Sequence, residues 1–158
     1  MKEKEVTKVK GKMVLITGAT SGLGKETARG LAQLGATVVI TTRDIPKGEQ
    51  TKQELIQSTK NNNIDVLYCD LASFTSIRGC CTEFLKKYDA LHVLINNAGI
   101  VDYHRRESKD GIENTFATNY LAPFLMTNLL LDVLKKAHQL ESLISHQDCI
   151  PERFILMI

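Results

Sequence analysis

The chain has 158 residues, 43% of them apolar and 24% charged, with a formal net charge of +2. That length carries one domain able to bury roughly two-thirds of its unfolded surface, and the composition is that of an ordinary globular protein. Interspersed charges of both signs exclude a nucleic-acid footprint, and no run approaches the ~20 apolar residues that cross a bilayer.

Residues 1–11 alternate Lys with Glu and read as a flexible polar tail, neither a signal peptide nor an anchor. Apolar runs and amphipathic stretches then alternate at short intervals, the pattern of βαβ units around a parallel sheet. The first strand is expected from about Lys12 to Thr17. It leads into Thr17-Gly18-Ala19-Thr20-Ser21-Gly22-Leu23-Gly24, which opens a helix. Such a strand–glycine turn–helix junction attracts an anion through its free N–H groups and dipole. Leu23, Thr27, Leu31 and Leu34 fall on one face of that helix, and Gly35 closes it.

Thr37 to Thr41 is a β-branched run and hence a buried strand. Asp44 and Pro46 start a polar surface helix to about Thr59. Asn61 to Asn63 make a turn, and Ile64 to Tyr68 supply the third strand. Ser73 caps a helix with Ile77, Cys81, Phe84 and Leu85 inward. Leu91 to Ile95 is the fourth strand. A polar loop, about Asn97 to Lys109, follows, and its run His104-Arg105-Arg106-Glu107 reads as solvated. Asp110 and Glu113 have capping-box spacing and begin a long helix to about Ala137. Pro123 inside it should kink the helix or displace a hydrogen bond. His138 to Cys149 has no clear period. Arg153 to Ile158 reads as a fifth strand or a bare apolar end, the strand being preferred.

Cys69, Cys80, Cys81 and Cys149 show no C-x-x-C pair and read as reduced thiols, which implies a cytoplasmic or otherwise reducing intracellular compartment. Cys80 and Cys81, adjacent on a helix and without His spacing, predict no metal site.

Three landmarks follow the glycine turn in order: Asp70-Leu71 after the third strand, Asn96-Asn97-Ala98-Gly99 after the fourth, and Asn119 in the long helix. With the spacing G-x-x-x-G-x-G, they resemble the short-chain dehydrogenase/reductase family. The phrases Thr42-Arg43-Asp44, Asp70-Leu71-Ala72-Ser73 and Glu113 to Tyr120 resemble its retinol-dehydrogenase-like branch. The likeness runs from about Gly11 to Lys136.

The resemblance implies an α/β fold, a Rossmann-type doubly wound parallel sheet of four to five strands in the order 3-2-1-4-(5). Residues 12–137 would form the dinucleotide-binding domain, and 138–158 a divergent tail with 153–158 as its strand. In this fold, ligands sit beyond the carboxyl ends of the strands. Gly18, Thr20, Ser21, Gly22, Leu23 and Gly24 would hold the pyrophosphate. Asp70 and Leu71 would border the adenine, Asn97, Ala98 and Gly99 would line the adenosine side, and Asn119 would shape the catalytic floor. Asn97 also reads as an ordinary strand-ending turn residue.

An NAD site offers a carboxylate to the ribose 2′-OH at the end of the second strand. Here Thr42 takes that place and Arg43 follows, a fork suited to a 2′-phosphate, so NADP(H) is the expected cofactor. Asp44 beside it could instead pair with Arg43. The family's catalytic Tyr has a Lys four residues on. Four beyond Tyr68, Tyr88, Tyr103 and Tyr120 stand Ala72, His92, Glu107 and Phe124.

The chain also ends where the family's fifth-strand Ser would fall, so the expectation is a C-terminally truncated member that retains only Asn119 of the active-site set. Three readings follow. One is an oxidoreductase-family chain that binds NADP(H) without turnover. Another is an interaction module that pairs with itself or a full-length relative through residues 110–137, with Leu121, Phe124, Leu125, Leu129 and Leu130 as contacts. The third is an unstable fragment.

Overall fold

The computed structural model describes residues 9–137 and 141–144. Strands β1 (Met13–Thr17), β2 (Thr37–Thr42), β3 (Ile64–Tyr68), β4 (Val93–Asn96) and β5 (Glu141–Ile144) form one sheet, ordered β3-β2-β1-β4-β5. Every pairing is parallel, as the doubly wound reading requires. The register sets Ile16 of β1 against Ile40 of β2 on one side and Ile95 of β4 on the other. β5 falls in the stretch for which the sequence predicts no strand, and it pairs with β4 from Val93 to Asn96. The strand predicted at 153–158 and Cys149 lie outside the described residues.

Strand side chains alternate between two cores. Val14, Ile16, Val38, Ile40, Val66 and Ile95 face α1 (Gly22–Gln33) and α2 (Ile45–Thr59). Leu15, Val39, Leu67 and Leu94 face α3 (Phe74–Lys87) and α5 (Ala122–Lys136). Both sheet faces are covered, which is why the strands read as continuous apolar runs.

Most helix boundaries follow local chemistry. Asp44 Oδ1 accepts the Lys47 N–H at 3.1 Å and Ser73 Oγ the Ser76 N–H at 3.3 Å, starting α2 and α3 at the expected caps. Past Leu34, the Gly35 N–H returns to Ala32 O and the Ala36 N–H to Leu31 O, the paired bonds of a Schellman closure. Asn61 Nδ2 then ties the next turn to the Ala32 and Ala36 carbonyls.

Three expectations fail. The buried residues of α1 are Gly24, Ala28 and Ala32, while Leu23 is 65% exposed and Thr27 faces solvent. The helix lies so close to β1 that only small residues fit beneath it, and Leu31 packs at the margin. On α3, Cys80 is buried beside Cys81 and Leu85 is half exposed. The predicted helix 110–137 is broken. Asp110 Oδ2 instead accepts the Phe74 N–H at 2.8 Å, capping α3 across 36 residues of sequence. Glu113 is the actual cap, taking the Thr115 and Phe116 N–H groups at 2.8 and 2.6 Å. Those two bonds hold its carboxyl below the usual carboxylate range.

One helical turn, α4 (Asn114–Phe116), runs into a π turn (Ala117–Leu121), where the Ala122 N–H reaches back five residues to Ala117 O. The wide turn sets Pro123 in the first turn of α5, where its missing N–H costs little.

Candidate functional site

β1 delivers Thr17 and Gly18 to the carboxyl edge of the sheet, and the chain turns there with Gly18 at φ +66° and Gly22 at φ +55°. A side chain at either position would be strained. The three turn glycines nevertheless have different reasons. A Cβ on Gly18 would sit 2.8 Å from Ala98 Cα, so the β4 loop can close onto the turn only over glycine. A Cβ on Gly24 would lie 2.5 Å from Gly18 O, which sets how tightly α1 packs on the strand end. A Cβ on Gly22 would meet nothing within 4 Å, so only backbone conformation and the open space before the turn constrain it.

The N-cap of α1 is Ser21, in extended conformation and with no side-chain cap bond. The opening N–H groups of the helix are therefore left for an anion, with the dipole behind them. The β4 loop is laced to this turn. Asn97 Nδ2 donates to Thr17 O at 3.0 Å and Gly18 O at 3.1 Å, and the Ala98 N–H donates to Thr17 Oγ1 at 3.1 Å. The structural role read for Asn97 in the sequence is thus present.

The Cys69 N–H bonds Thr42 O at 2.8 Å, continuing the β2–β3 ladder and setting Arg43 and the Asp70 turn side by side. Thr42 is buried, its hydroxyl engaged with the Asp44 backbone. Asp44 turns its carboxylate to the α2 cap, so it does not take the Arg43 guanidinium left open by the sequence. Arg43 is exposed and makes no ion pair among the described residues. Asp70 accepts the Ala72 N–H at Oδ1 (3.1 Å) and Lys109 Nζ at Oδ2 (2.8 Å), and its own N–H donates to Ser76 Oγ. Burial works against its ionisation. The Lys109 and Ala72 hydrogen bonds and the Lys109 and Arg43 charges outweigh that, and hold its carboxyl below the usual range.

Asn119 lies within the π turn, where the widened backbone turns its amide toward the β4 loop. Nδ2 donates to Ile100 O at 2.8 Å and Oδ1 accepts the Ile100 N–H at 2.9 Å. A π turn at such a position is common in functional sites.

These edges enclose one cavity of about 920 Å3. It is lined by Gly18, Thr20, Ser21, Leu23, Gly24, Arg43, Asp70, Leu71, Asn97, Ala98, Gly99 and Asn119. Of the residues predicted for the site, only Gly22 is not on the wall. The structure adds Thr41, Thr42, Cys69, Ala72, Ile100, Val101, Asn114 and Thr118. The strand-end positions among these were legible from the strands themselves. Asn114 and Thr118 enter only because the helix is broken around them. The residues fit the dinucleotide implied by the resemblance: the glycine turn at Gly18 and Gly24, an uncapped helix N-terminus and an exposed guanidinium share one cleft. Cys69 lines the cavity as a buried thiol whose pKa is pushed up by the Cys80 hydrogen bond and by burial, which makes it a poor nucleophile. Among the described residues, no helix is long and apolar enough to cross a membrane.

Residues 12–140 match the family model for short chain dehydrogenase. The chain is 45% identical over 126 residues to human polyprenol dehydrogenase, covering 80% of this chain and 38% of that protein. It is 46% identical over 129 residues to mouse retinol dehydrogenase 12, covering 82% and 41%. A metagenomic short-chain oxidoreductase in complex with NADP superposes with a TM-score of 0.75 at 25% identity, covering 90% of this chain and 66% of that one. The chain spans about two-fifths of the length of the curated relatives it matches.

Proposed function

The chain belongs to the short chain dehydrogenase family of oxidoreductases, and we propose that residues 12–137 form an NADP(H)-binding Rossmann-type domain. The observation that carries this reading is the shared wall of the cavity, where the first turn of α1 and the Arg43 guanidinium border one cleft. In this assignment the 17–24 turn takes the pyrophosphate and Arg43 the 2′-phosphate. Asp70 and Leu71 border the adenine, Asn97 to Gly99 the adenosine side, and Asn119 holds the floor through Ile100. The solved relative that contains NADP at 25% identity supports the choice of cofactor.

Bound NADPH supplies a hydride, and the family reaction by resemblance moves it between cofactor and a carbonyl or alcohol, such as a retinoid or an aldehyde. These 158 residues bind without turning over, because no Tyr in them is followed four residues later by Lys. General acid catalysis at a carbonyl needs a donor with a tuned pKa, and a lone Tyr at about 10 does not supply it. Calorimetric titration with NADPH and with NADH tests the reading. Saturable binding that favours NADPH is expected, and Arg43→Ala should remove the preference. Absence of binding to either cofactor refutes the assignment, and aldehyde-dependent NADPH oxidation by the polypeptide refutes the inactivity.

A second reading, an interaction module, is favoured by one observation. Phe116 and Tyr120 stack in the open at 5.2 Å, with Phe124 62% exposed along the same segment. Of the other contacts expected there, Leu130 is buried in the core, and Leu121, Leu125 and Leu129 are half-buried. A concentration-dependent mass in light scattering, lost in Phe124→Ser, supports it, whereas an invariant monomer excludes pairing with itself.

A further inference from the structure

Lys109 lies in the β4–α4 loop, outside the cavity wall, yet grips that wall twice. Its backbone N–H donates to Ala72 O at 3.0 Å, and its ammonium reaches Asp70 Oδ2 at 2.8 Å. The neighbouring Asp110 carboxylate takes the Phe74 N–H at 2.8 Å, so the loop is anchored to the 70–74 turn at three points. This matters because of what else faces the cleft. Asp70 and Arg43 both line the cavity, and they are close enough for the Arg43 charge to act on the Asp70 carboxyl. A free carboxylate there would draw the guanidinium to itself and repel an incoming phosphate.

We infer that Lys109 is a positioning residue for cofactor choice: by occupying the Asp70 carboxylate, it leaves Arg43 available to an adenosine 2′-phosphate. The inference deepens the NADP(H) reading and rests on it. Asp70 has one oxygen on the Ala72 N–H and the other on Lys109, so each oxygen already holds a partner other than Arg43. The carboxylate keeps its place beside the adenine without cancelling the cation that reads the phosphate. Lys109 supplies a compensating charge without touching the ligand. Its own pKa is raised, chiefly by the Asp70 hydrogen bond, so it stays charged across the neutral range.

The test uses the whole chain with adenosine 2′,5′-bisphosphate and 5′-AMP as probes of the adenosine end, read as the ratio of their affinities. Lys109→Gln should lower that ratio roughly tenfold, as expected for one newly uncompensated charge near a phosphate at effective protein dielectric and moderate salt. Lys109→Arg should retain it. The double variant Lys109→Gln with Asp70→Asn should restore it, because no carboxylate is left to hold Arg43. A merely structural loop anchor would weaken both probes alike, and the second substitution would not recover the ratio. Either result overturns the inference while leaving the cofactor assignment intact. A wild-type chain that binds neither probe overturns the assignment and the inference together.

Discussion

Replacing Gly24 with Ala would ordinarily help a helix, by about 1 kcal/mol. Here the added methyl would lie 2.5 Å from Gly18 O, 3.0 Å from Asn97 Cγ, and closer still to Asn97 Nδ2. The carbonyl belongs to the glycine turn and cannot retreat, so Asn97 must move and lose its two bonds, to Thr17 O and Gly18 O. Each is worth about 1 kcal/mol, and overpacking adds about 1–3 kcal/mol. After the propensity gain, the net cost is about 2–4 kcal/mol, equivalent to a fall of roughly 5–15 °C in Tm for a chain of this size. Gly30, in the same helix, would meet nothing within 4 Å. Gly30→Ala should therefore stabilise, by about 0.5–1 kcal/mol. Parallel thermal and urea denaturation of both variants measures the difference. A Gly24→Ala protein as stable as Gly30→Ala would refute the close approach of α1 to the strand ends.

His92 Nδ1 accepts the Met13 N–H at 3.0 Å, and burial, with the Lys12 charge, lowers its pKa. The unfolded chain then takes up the proton first, so stability is full above about pH 6.5 and declines as pH falls toward the folded-state value. His92→Phe should flatten the slope below about pH 6.5, and an unchanged slope in urea midpoints would exclude this origin. Asp110→Ala should cost about 1 kcal/mol through the lost cap on α3, with faster hydrogen exchange in the Phe74 turn, although the residue is 36 positions away in sequence. Asn119→Ala removes both bonds to Ile100, so the Ile100 amide should lose exchange protection while the β1–β2 amides keep theirs.

Local signals account for what was legible. β3 spans the predicted Ile64 to Tyr68 and α3 begins at the predicted Ser73 cap, because the causes act within a few residues. The convergence of the cavity-lining residues was legible for a related reason. A parallel sheet gathers its strand ends at one edge, so Gly18, Arg43, Asp70 and Asn97 had to converge once the strands were recognised. The inner face of α1 was not legible in that way. Large side chains dominate a periodicity reading, whereas the strand spacing admits only Gly24, Ala28 and Ala32 beneath the helix, and Leu23 is displaced to the rim of the cavity.

The sequence by itself determined the βαβ rhythm, the caps of α2 and α3 and the glycine turn, each a property of neighbouring residues. Tertiary structure decided which acidic residue caps which helix, where the long helix breaks, and that Lys109 rather than Arg43 is the ion-pair partner of Asp70. The physical reason is range. Backbone propensity and side-chain period act over one or two turns, whereas charges and unpaired N–H groups take whatever partner the packed fold brings within about 3 Å.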